Sequence, residues 1–87
     1  MAKTQYSPTF PMFPGDAFSI TPDDSNDLPD IAVVYVGDPG GTGAVKVTTA
    51  AGTDVTFVGL PAGFVIPVQV RRVWSTGTTA TSLIGIY

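Results

Sequence analysis

Phe64–Trp74 reads Phe-Val-Ile-Pro-Val-Gln-Val-Arg-Arg-Val-Trp and is the longest strand-like run in the chain. Ile66, Val68 and Val70 share one parity, with Pro67 and Gln69 on the other. Arg71 and Arg72 then break the alternation, and Val73 falls on the opposite parity. Side chains alternate between the two faces of a strand, so the run predicts a strand with a β-bulge near the arginines. Pro67 has no N–H to give to a ladder, which predicts an edge position or a break into two strands.

Working outward, the flanking segments also read as strands separated by turns. Leu60-Pro61-Ala62-Gly63 is a turn, with proline to open it and glycine available for positive φ. Before it, Val45 and Val47 point inward and Lys46 outward, Ala51-Gly52-Thr53 turns the chain, and Val55 and Phe57 face inward, which predicts a hairpin. Ile31–Val36, Ile-Ala-Val-Val-Tyr-Val, is apolar at both parities and predicts a central strand covered on both faces. Phe18 and Ile20 alternate with small residues in a short strand that Pro22 ends. Beyond the long run, Ser75–Thr81 is a polar turn and Ser82–Tyr87 a last strand, with Leu83, Ile84 and Ile86 apolar. No stretch carries a helical stripe. The expectation is an all-β fold, a small sandwich or barrel of six to seven short antiparallel strands.

Residues 1–15 differ from the rest. Pro8, Pro11 and Pro14 fall at a spacing of three, with Tyr6, Phe10 and Phe13 between them. Proline fixes φ and pushes its predecessor to extended backbone, so an extended arm is expected, with residues 16–87 as a single β-domain. At ~3.1 Å per residue the arm reaches roughly 45 Å. An arm with this much aromatic area needs a surface to lie on, and Tyr6, Pro8, Phe10, Pro11, Phe13 and Pro14 are candidate partner-binding residues.

Composition bounds the function. The chain has 87 residues, no cysteine and no histidine. A domain of this size buries only about 60–65% of the surface its unfolded chain exposes. Disulfides are excluded and a zinc site nearly so, which leaves oligomerisation as the staple. Charged residues make up 13%, against about 25% in an ordinary soluble domain. Much of the surface is therefore neutral and cheap to desolvate, which suits contact with other protein. The only cations are Lys3, Lys46, Arg71 and Arg72, and the net charge is −3. No basic patch exists for nucleic acid. The longest apolar runs fall far short of the ~20 residues of a bilayer span, and no secretory signal is recognisable.

Little in the inventory points to catalysis. With no histidine or cysteine, only paired aspartates remain, and those in Asp23–Asp30 lie in a turn. That loop lacks the glycine and glutamate of an EF-hand, so Asx-turns onto its own backbone are expected instead of calcium ligation. Gly37–Gly43 lacks the Gly-Lys-Ser/Thr ending of a phosphate loop and reads as a connection between strands. No cofactor, metal or enzyme activity is expected. Arg71 and Arg72 are assigned to partner binding: neighbours on a strand point to opposite faces, so one can pair with an aspartate of its own chain while the other meets a neighbour. Trp74 is assigned to the core.

Several segments resemble the head-spike base protein family of gene transfer agents and tailed bacteriophages. They are Thr21–Pro29 (Thr-Pro-Asp-Asp-Ser-Asn-Asp-Leu-Pro), Val34–Gly37, Asp54–Gly63 and, best, Ile66–Tyr87, where Arg-Arg-Val is followed by Thr-Gly-Thr-Thr-Ala-Thr. About three-quarters of the chain is covered. The resemblance implies a small β-domain on the outer capsid surface of the virion, made in the host cytoplasm, which seats on the capsid, forms a ring at vertices and carries a fibre. Its implied partners are the major capsid protein, copies of itself and a fibre protein, without nucleic acid or membrane. The Gly37–Gly43 loop is more glycine-rich than in the family, and the arm lies outside the match. A cement protein at three-fold sites, a neck or tail component and a glycan- or receptor-binding module remain open alternatives.

Overall fold

The structure, a computed structural model, describes residues 14–87. They form six strands: β1 (Ala17–Ile20), β2 (Ala32–Asp38), β3 (Val45–Thr49), β4 (Asp54–Phe57), β5 (Phe64–Val73) and β6 (Thr81–Ile86). No helix occurs among the described residues. The strands join one antiparallel sheet in the order β1-β6-β2-β5-β3-β4, within the six to seven expected.

β5 is where the sheet changes direction. Its first half pairs with β2, through Phe64, Val65 and Ile66. Its second half pairs with β3, through Val70, Arg72 and Val73. Ala32 faces Val70 while Val34 faces Ile66, so β5 carries two more residues than β2 across this interval, and Pro67 sits in it, exposed. On the other side Thr49 faces Val70 and Thr48 faces Arg72, which leaves Arg71 as the extra residue of a bulge. The parity break at the arginines is this bulge; Pro67, expected at an edge or at a break into two strands, instead lies inside one unbroken interior strand, tolerated where the pairing with β2 is irregular. Past Val70 the place of β2 is taken by the aspartate loop, whose Leu28 and Asp23 N–H groups donate to the carbonyls of Arg71 (2.7 Å) and Val73 (2.9 Å).

The bend lets one face of the sheet cover itself. Val34, Val36, Val45, Val47, Ile66 and Val70 are fully buried, and they join Ile20, Leu60, Val73, Ala80 and Leu83 in one cluster. With no helix beside it, a flat six-stranded layer would leave these side chains wet. Its two halves must face each other, as in a sandwich whose corner is a strand shared by both sides. Each such side chain contributes roughly 1.5–3 kcal/mol by burial, so a core this small depends on every one. Gly85 shows how closely it is packed: a Cβ there would lie 2.7 Å from Cζ of Phe18, whose ring crosses the strand and meets Tyr87 edge-on at 5.5 Å between centroids. At the β3–β4 turn, Gly52 has φ +97° and closes the hairpin with its N–H on the Thr49 carbonyl, 2.9 Å.

Two further expectations need correction. β2 is central, but only one of its faces is covered: Val34 and Val36 are buried while Tyr35 is 36% exposed. Trp74 is only half-buried and lies outside the core cluster, because its ring stands on the outer face between two cations.

Candidate functional site

The bend at β5 gives the domain two outer faces, and their chemistry differs. Over β3, β4 and the second half of β5 the outward residues are polar. The ring of Trp74 carries Lys46 Nζ 4.4 Å from its centroid and the Arg72 guanidinium carbon at 5.4 Å. Its Nε1–H donates to Thr48 Oγ1 (2.9 Å), and that hydroxyl donates to Asp54 Oδ1 (2.6 Å). Arg72 Nε donates to Asp27 Oδ1 at 2.9 Å, and Nη1 reaches the Asp24 carbonyl at 3.3 Å. Asp24 accepts from the Thr76 N–H (2.9 Å) and hydroxyl (2.5 Å). Those two Thr76 bonds hold its carboxyl below the usual aspartate range. Asp23 is lowered in the same way, first by the Asn26 amide (3.0 Å) and then by the Ser25 N–H (2.7 Å). The aspartate loop thus builds Asx-turns and clamps β5. Trp74, Thr48, Asp54, Arg72, Asp27, Asp24 and Thr76 thus answer one another within the chain.

Over β1, β6, β2 and the first half of β5 the outward residues form two rows set by register. Ala17 faces Ile86, which faces Val33; Ser19 faces Ile84, then Tyr35, then Val65. None of the seven is charged. Val65 is 42% exposed, and Ile31 beside this face 51%. An apolar strip of this kind on a small domain marks a contact surface. Sequence reasoning took Val33 and Tyr35 as part of a strand covered on both faces and assigned no face to Val65, Ile84 or Ile86. The signal was available: apolar residues at both parities of Ile31–Val36 and Leu83–Ile86, with no helix among the described residues to lay over them.

The residues expected to bind partners fall in three places. Tyr6, Pro8, Phe10, Pro11 and Phe13 lie outside the described residues. Pro14 is exposed at the entry to β1. Arg72 is engaged by Asp27, whereas Arg71, the bulge residue, is exposed. The glycine loop spends its polar groups internally, with Gly40 N–H on Asp38 Oδ1 (2.9 Å) and Gly43 N–H on the Pro39 carbonyl (3.1 Å).

No family model matches this chain, and no curated protein matches it. A solved chain does, from a structure described as "Capsid of native GTA particle computed with C5 symmetry". The two are 33% identical with a TM-score of 0.72, over 85% of this chain and 83% of that one. Identity and coverage at this level make the two homologous along nearly their whole length, and this chain belongs to the family of that GTA capsid chain, a family of phage- and GTA-capsid-associated structural proteins.

Proposed function

We propose that this protein is a head spike base: a subunit that seats on the outer surface of the capsid, assembles as a symmetric ring and carries a fibre. The similarity to a chain of a GTA particle capsid computed with C5 symmetry carries this reading. The chemistry supports it. A domain with a small core, 13% charged residues and an uncharged outer sheet face gains stability by meeting other protein. In this reading the segment bearing Tyr6, Pro8, Phe10, Pro11, Phe13 and Pro14 grips the major capsid protein or a neighbouring copy, and the exposed Arg71 takes part in a subunit contact. Each contact is weak alone, and ring formation multiplies attachment through effective concentration.

An electron cryomicroscopy map of the intact particle tests the seat. Density for the domain on the outside of five-fold vertices is expected. Density at three-fold positions would make it a cement protein, density at the neck or tail a connector component, and either would overturn the spike-base reading. In the same particles, deletion of Met1–Pro14 is expected to leave a folded domain that no longer co-purifies with capsids.

A further inference from the structure

We propose that the uncharged outer face of β1, β6, β2 and the first half of β5 is the seat for residues 1–13 of a neighbouring copy of this chain; the inference rests on the assembly reading above and names the contact that builds it. Three observations converge. The face is apolar and open, with Val33, Tyr35, Val65, Ile84 and Ile86 outward and no charge among them. The segment matches it: from Thr4 to Phe13 there is no charged residue, and Tyr6, Phe10 and Phe13 supply aromatic area. Nothing charged need be desolvated on either side, which is the usual cost of such a contact.

The third observation is where the segment joins the domain. The N–H groups of Gly15 and Asp16 both donate to the Tyr87 carbonyl, at 3.0 and 3.1 Å. Gly15 and Asp16 thus continue the line of β1 to the end of β6, and Pro14 precedes them there. To cover the face of its own copy, the segment before Pro14 would have to turn back across β1. Pro8, Pro11 and Pro14 at a spacing of three oppose that reversal and lower the entropy cost of binding in extended form. Four strands span roughly 15 Å of face, and thirteen residues at ~3.1 Å reach roughly 40 Å, enough to cross a subunit boundary and still lie over the neighbour. A contact of arm on face is heterologous: each copy gives one element and receives another, and repetition about an axis closes a ring.

Complementation in solution tests it, with full-length chains. Wild type is expected to self-associate in analytical ultracentrifugation. Tyr35→Lys, with an altered face, and Phe10→Asp/Phe13→Asp, with an altered arm, are each expected to sediment as monomers, at least about tenfold weaker in association, as for loss of a central aromatic anchor. Mixed together, they are expected to form one-to-one pairs and nothing larger, because only one intact arm and one intact face meet. Val65→Lys replaces Tyr35→Lys if the latter loses its cooperative thermal transition. A monomeric wild type, an arm variant that associates as well as wild type, or a mixture that stays monomeric would each overturn the proposal. The particle map reads the seat on the capsid separately, so pairing without vertex density would sink the spike-base reading and leave this contact standing.

Discussion

The two outer faces of the sheet are built from the same kind of strand, yet one is completed within the chain and the other is left open. On the hairpin side, Trp74 is held between Lys46 and Arg72 and tied to Thr48 and Asp54. Across the bend, Val33, Tyr35, Val65, Ile84 and Ile86 have no such answer among the described residues. The difference separates two uses of surface. Substitutions at Trp74, Lys46 or Arg72 should change folding stability and leave association alone, and substitutions on the open face should do the reverse.

The sharpest form of that contrast uses adjacent residues of β6. Gly85 points into the core against Phe18 and Ile84 points out. Gly85→Val is expected to destabilise the domain by about 2–3 kcal/mol through overpacking, whereas Ile84→Thr should cost less than about 1 kcal/mol and still weaken self-association. Chemical denaturation reads the first quantity and sedimentation the second. Equal losses of stability would break the comparison.

Next in size is Trp74. Trp74→Ala removes the ring from both cations and should cost about 2 kcal/mol, less than a fully buried aromatic. Trp74→Phe keeps the ring and loses the bond to Thr48 Oγ1, for about 1 kcal/mol. Neither should alter association of the folded protein. Smaller still is Arg72→Ala, at no more than about 1 kcal/mol and reduced further by salt, since its pair with Asp27 is solvent-accessible. The smallest effect is acid sensitivity. Bonds from Thr76 depress the Asp24 carboxyl, so its contribution is complete above the unfolded value of about 4 and fades as pH falls through the lower folded value. Asp24→Asn should flatten the stability–pH curve below pH ~4.

Much of the fold was legible because local signals agreed. The parity slip between Val70 and Val73 located the bulge, and the alternation of Val45, Lys46 and Val47 gave the hairpin its inward face, whereas Pro67 marked an irregularity of pairing and not an edge or a break. The pairing order was not legible, since nothing in Ser82–Tyr87 says that this segment inserts between the first two strands. Trp74 was misassigned because its partners, Lys46 and Arg72, meet it only after the sheet has bent. The open face was misassigned for a different reason. Apolar alternation reports that a residue will be dry, and not whether the molecule that dries it is its own chain or another.

β6 comes last in chain order and lies between β1 and β2. β1 and β2 are joined through a strand far from both in sequence, a non-local closure that is slow by nature. Ile84 and Ile86 belong to that late strand. Both rows of the open face run through β6, so the surface offered to a partner and the finished sheet come into being in the same step.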